Sequence, residues 1–150
     1  MKMAALADEA ATRALGAALA PVLRQGDIVR LEGDLGAGKS TLARALIAAL
    51  TGVKDAPSPT FTLVETYDGP DFPLWHFDLY RLENPAEIWE LGLEEALDEG
   101  ALLIEWPERI EGLLPDGALT VRLETAGAGR RAHLDGDERW KARLAAAGIA

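Results

Sequence analysis

Apolar residues recur along this chain with two different periods, and the changes of period mark its elements. Residues 8–20 place Leu15 and Leu19 on one helical face, with Asp8 positioned to cap the first turn, so a helix is predicted there. Gly26-Asp27 marks a turn, and DIVRLEG (27–33) reads as a strand running into a glycine-rich segment. From Lys39 to Leu50 the period is helical again. Leu42, Leu46, Ile47 and Leu50 fall on one side, and Gly52 supplies a stop.

DAPSPTF (55–61) reads as a stiff loop. FTLVETY (61–67) and PLWHFDLY (73–80) read as strands, and the short DGPD connection (68–71) favours an antiparallel hairpin. Asn84-Pro85-Ala86-Glu87 opens a predicted helix, with Asn84 as cap, Pro85 in the first position and Glu87 able to reach back. LEEALDEG (93–100) is a second short helix closed by Gly100. ALLIEW (101–106) is a continuous apolar run that meets an acid at its end, as in a central strand buried on both faces. GALTVRLET (117–125) and RRAHLD (130–135) form a predicted hairpin around AGAG, and 137–147 a terminal helix. No internal repeat, linker or low-complexity stretch interrupts this order. The alternation of strands and helices predicts an α/β fold, with residues 1–150 as a single domain.

Composition narrows the picture. At 49% hydrophobic residues, a chain of 150 has enough apolar surface for a core without covalent staples. The absence of cysteine excludes disulfides and thiolate metal sites and suits a reducing cytosol. No apolar run approaches the ~18–20 residues of a membrane span. Asp8, Glu9 and Arg13 interrupt the alanine-rich start, so no signal peptide is read there. The expectation is a cytoplasmic protein with no membrane partner.

The net charge of -10 argues against a protein that binds nucleic acid by itself, because phosphate contacts need a basic footprint. Any phosphate must be captured locally, by backbone N–H groups, one or two cations and a metal ion. If RNA is involved, another subunit holds it. Solubility alone accounts for the acidity equally well.

GDLGAGKST supplies such a local trap. Gly33-x-x-x-x-Gly38-Lys39-Ser40 fits the Walker A pattern, between a predicted strand and a predicted helix. The candidate nucleotide-binding residues are therefore Gly33, Asp34, Leu35, Gly36, Ala37, Gly38, Lys39, Ser40 and Thr41. Glycines let successive N–H groups converge on a phosphate, and the helix adds its positive end. Lys39 can reach the β- and γ-phosphates, Ser40 can bind Mg²⁺, and Thr41 can donate to the α-phosphate.

Mg²⁺ takes one or two carboxylates beside phosphate oxygens and water. Two acids follow apolar strand-like runs, Asp78 in LWHFDLY and Glu105 in ALLIEW. Glu105 is the better metal candidate, directly or through water. Asp78 is suited to position the attacking water or to hold Ser40 and the metal shell. Thr60 is either a γ-phosphate-sensing switch residue or a strand-edge threonine. His76 reads as a packed strand residue rather than a base, and His133 is too distant in sequence to suggest a histidine metal site. Trp106 follows Glu105 directly and is a candidate sensor or interface residue. Arg81, Arg130 and Arg131 are either ligands of phosphate or base, or ordinary exposed arginines.

No guanine-reading Asn-Lys-x-Asp and no Leu-Ser-Gly-Gly-Gln signature is present. In order, GDLGAGKST, SPTFTLVETY, HFDLYRL, GLEEALDE and LIEWPER closely resemble the bacterial TsaE (formerly YjeE) family, over about residues 8–135. The resemblance implies a compact P-loop NTPase fold with a mixed, mostly parallel sheet flanked by helices. It implies a weak Mg²⁺-dependent ATPase whose partners are TsaD and TsaB. These modify the adenosine beside the anticodon of tRNA, and the ATPase cycles the complex without performing the transfer. It places functional roles on Asp78 and Glu105, a switch-like segment on Ser58, Pro59 and Thr60, an acidic pair near the base on Asp8 and Glu9, and a late nucleotide contact on Gly129 and Arg130. Ser40 stands where the family more often has threonine, and the tail after Asp135 carries no motif. A small-molecule kinase and a nucleotide-dependent interaction module are the alternatives to this reading.

Overall fold

Residues 2–149 are described by the computed structural model. Seven strands follow one another as β1 (Lys2–Leu6), β2 (Ile28–Glu32), β3 (Val64–Asp68), β4 (Pro73–Asp78), β5 (Ala101–Glu105), β6 (Leu119–Ala126) and β7 (Gly129–Asp135). The α-helices are α1 (Glu9–Leu19), α2 (Lys39–Thr51), α3 (Leu93–Glu99) and α4 (Glu138–Ala146). The strands form one sheet in the order β1-β7-β6-β2-β5-β4-β3. Its centre, β6-β2-β5-β4, is parallel throughout, and the outer pairs are antiparallel. Only β3 and β7 run against the rest, so the sheet is mixed and mostly parallel, with helices on its faces, as expected.

Strand alternation assigns the faces. Val29 and Leu31 of β2, with Leu103 of β5, join α1, α2 and α4 in one buried cluster. Ile28, Leu102, Ile104 and Phe77 point the other way, against α3 and two 3₁₀ segments, Pro85–Trp89 and Pro107–Ile110. Because β5 is covered on both sides, all five of its residues are buried, which is why its sequence is apolar without alternation.

The helices nearest the sheet centre are held closely. A methyl group on Gly16 of α1 would overlap the Leu42 carbonyl oxygen of α2, so glycine lets the two backbones touch. At the far end Arg143 of α4 grips the buried Asp27 with two bonds, Nη1 to Oδ2 at 2.7 Å and Nη2 to Oδ1 at 3.1 Å. It also donates to the Val22 carbonyl at 3.0 Å.

The structure departs from the sequence expectation in three places. The strand expected from Phe61 begins only at Val64. The Leu63 N–H closes a turn on the Pro59 carbonyl, Leu63 has φ 69°, and Phe61 is left exposed. The helix expected at Asn84 is a single 3₁₀ segment; Asn84 does cap it, through Ala86 N. Strand β1 was not anticipated. Its alanine-rich KMAAL favours helix locally, and pairing with β7 overrides that preference.

Candidate functional site

The C-terminal ends of β2, β5 and β4 lie side by side, and the loop 33–38 leaves the first of them. Glu105 pairs in register with Leu31 on one side and Asp78 on the other. Ligands of open α/β sheets bind beyond these strand ends. A cavity of about 560 Å³ opens here, within the range of roughly 300–1,000 Å³ usual for small-molecule sites.

Glycine is needed in the loop for shape. Gly38 precedes α2 with φ 105°, and a methyl on Gly33 would strike the Leu123 carbonyl oxygen. Gly38 has no side chain to cap α2, so the first N–H groups of this 13-residue helix face the cavity. The site is thus furnished with oriented donors and the positive end of a dipole. Arg130 braces the loop from β7, its Nε donating to Ala37 O at 3.2 Å and Nη2 to Gly36 O at 3.1 Å.

Lys39 is buried. Its ammonium donates to the Gly33 carbonyl and lies 3.5 Å from the centroid of the Trp106 ring. Burial pushes its pKa down, and Glu105, Glu108 and Asp78 draw it back up. Trp106 holds the ring there from a left-handed backbone, φ 59°, and stacks at a tilt on Tyr80, centroids 4.9 Å apart.

The carboxylates sit on the same side of the sheet as α2, by the alternation that buries Leu74 and Leu103 there. Ser40 Oγ donates to Glu105 Oε1 at 3.3 Å, a long contact. Glu105 Oε2 meets His76 Nε2 at 2.8 Å. Asp78 Oδ1 accepts from Tyr80 N at 3.1 Å. Burial raises the Asp78 carboxyl pKa; Glu105 adds to the rise, while the Tyr80 N–H, His76 and Lys39 oppose it. Ser58 and Thr60, which also line the cavity, share a 3.0 Å bond.

A family model described as "Threonylcarbamoyl adenosine biosynthesis protein TsaE" matches residues 6–133. The chain belongs to the TsaE family. The tRNA threonylcarbamoyladenosine biosynthesis protein TsaE of Rickettsia felis is 45% identical over 130 residues, 86% of this chain and 76% of that protein. The TsaE protein of Bacillus subtilis is 38% identical over 121 residues, 80% and 75% of the two chains. The crystal structure of Bacillus subtilis YdiB superposes with a TM-score of 0.79 at 28% identity, covering 98% of this chain and 93% of the other.

The TsaE residues singled out in the sequence converge on this cavity. Lys39, Ser40, Thr41, Thr60, Asp78, Glu105, Glu9 and Arg130 all line it, as do Leu35, Gly36 and Gly38. Gly33, Asp34 and Ala37 shape the loop without lining the cavity. Asp8 caps α1 at its edge, and Glu9 is paired with Arg13 at 2.6 Å. Arg131 lies elsewhere, bonded to Glu124 at 3.3 Å, and Arg81 stacks on Phe61. Sequence reasoning missed Thr12 and Tyr80 in the lining. Tyr80 had a signal, since it follows Asp78 by two residues and continues the alternation. Thr12 had none, because only the docking of α1 beside the loop brings it there.

Proposed function

We propose that this TsaE chain binds ATP with Mg²⁺ and hydrolyses it in support of tRNA threonylcarbamoyladenosine biosynthesis, acting with TsaD and TsaB rather than performing the transfer itself. The observation that carries the reading is the meeting of an uncapped helix terminus, Lys39 and Ser40 with two strand-end carboxylates, Asp78 and Glu105, in one cavity.

The donors fit the groups. The loop N–H atoms suit phosphate oxygens. Ser40 and the carboxylates are hard oxygen ligands of the kind Mg²⁺ takes. Among the described residues no set of three or more His, Cys, Asp or Glu could hold a metal alone. Mg²⁺ that draws most of its shell from phosphate and water needs no such set. When bound, MgATP supplies the scissile phosphoryl bond, with its charge partly neutralised by the ion.

The chain does the rest. Loop N–H groups orient the phosphates, and Lys39 exchanges the Gly33 carbonyl for a phosphate oxygen. Asp78, made more basic by burial, orients a water and accepts its proton. The products are ADP, phosphate and a proton. The acidic surface suits a protein that reaches tRNA only through its partners. A cytoplasmic location follows from that reading, and no helix among the described residues is long and apolar enough to cross a membrane.

Lys39→Ala should abolish nucleotide binding or turnover, and a reconstituted TsaB–TsaD system carrying it should lose the modified nucleoside. Normal modification with that variant, or no complex and no ATPase stimulation on mixing the wild type with TsaB and TsaD, would refute the proposal. A variant that binds but does not hydrolyse ATP, yet still supports modification, would favour the interaction module instead.

A further inference from the structure

His76 has no part in the chemistry above, yet it is the most enclosed polar side chain near the site. It lies one residue short of Phe77 and two short of Asp78 on β4, facing the α2 side, with 1% exposure. Its partner Glu105 is 2% exposed. A carboxylate only accepts, so Nε2 is the donor in this bond. Nδ1 is itself buried without a hydrogen-bond partner. A packing residue at this position would be apolar; here the fold tolerates an orphaned nitrogen, and what it gains is one bond to Glu105.

That bond divides the labour of the carboxylate. Oε2 is tied to His76, and Oε1 is left toward Ser40 at the cavity floor. The ring, fixed on a buried strand, orients the carboxylate through one directed bond and leaves Oε1 facing Ser40. Ligating carboxylates elsewhere are held in the same way by outer partners.

We propose that His76 is a positioning residue that aims Glu105 Oε1 at a divalent cation held beside Ser40. The inference rests on the nucleotide–Mg²⁺ reading given above.

ADP affinity measured in EDTA and across a Mg²⁺ titration, by thermal shift or a fluorescent analogue, tests it. His76→Leu should leave ADP affinity in EDTA within about twofold of wild type. It should raise the Mg²⁺ concentration at half-effect by ~10–100-fold. His76→Gln, whose amide can donate from nearly the same place, should recover most of that loss. In a Glu105→Gln background His76→Leu should add no more than about a twofold change, because the group it positions has gone. If His76→Leu does not fold, His76→Asn, whose amide is too short to reach Oε2, takes its place. An unchanged Mg²⁺ midpoint overturns the proposal. So does equal loss of ADP binding in EDTA, or a full His76 effect in the Glu105→Gln background. Wild-type binding indifferent to Mg²⁺ overturns the functional reading itself, and this inference with it.

Discussion

Asp78 carries opposing demands within a single residue. Burial and the nearby Glu105 raise its carboxyl pKa above the ordinary carboxylate range. A carboxyl raised in the folded state contributes stability that is complete below its unfolded pKa and is lost as pH climbs through the folded one. At pH 7 the ionised group therefore weighs against the fold, while serving as the base the proposed reaction needs. Asp78→Asn should accordingly unfold at a higher temperature than wild type at pH 7. The gain should shrink as the pH falls through the folded pKa and approach zero only below about 4, the unfolded Asp value, where the carboxyl is protonated in both states. Hydrolysis should fall even so, by ~100-fold or more for loss of a positioned base. A wild-type Tm equal to or above that of the variant at pH 7 would remove the argument from burial. Lys39 shows the same tension with the opposite charge, which is how a site spends stability on function.

At the scale of elements, two contacts carry most of what can be tested. Gly16→Ala would force α1 away from the Leu42 carbonyl, and an overpacked contact of this kind costs about 1–3 kcal/mol. Chemical denaturation should report that loss, and nucleotide affinity should weaken as Thr12 and Glu9 shift. Arg143→Met leaves the buried Asp27 without its charged partner and with only the Arg24 N–H bonded to it, a loss of about 3–5 kcal/mol. The double variant Asp27→Asn, Arg143→Met should recover much of it, and a double variant as unstable as Arg143→Met would refute the pairing. Elements with local signals were legible in the sequence. Asp8 and Asp137 cap the helices expected after them, Gly52 stops α2, and the loop 33–38 lies between strand and helix as its spacing requires. Contacts that depend on register were not. His76 meets Glu105 across 29 residues of sequence because β4 and β5 happen to be neighbours, and β1 exists only because β7 is there to pair with it. Thr60, read as either a switch residue or a strand-edge threonine, stands clear of the strand, which starts only at Val64. The turn after Pro59 puts it on the cavity wall instead.

For the whole molecule, charge and strand order matter more than any single contact. A chain of net charge -10 should show no measurable tRNA binding by gel shift at ~0.15 M salt, where phosphate binders depend on their cations. A shift should arise only when TsaB and TsaD are added. Strand order has a consequence for how the protein is made. β2, which launches the glycine loop, has β5 and β6 as its neighbours, and both are encoded after it. Until residues 101–105 have been translated β2 has no strand to pair with, and its second neighbour follows only with residues 119–126, however complete the loop's own sequence. During synthesis the chain therefore carries an apolar, unpaired strand beside an unformed pocket, a period of exposure to misassociation that ends only when its last third arrives. Stalled ribosome-bound chains ending at residue 100 should retain no nucleotide, whereas those in which the whole sheet has emerged should, so that competence arrives abruptly and late.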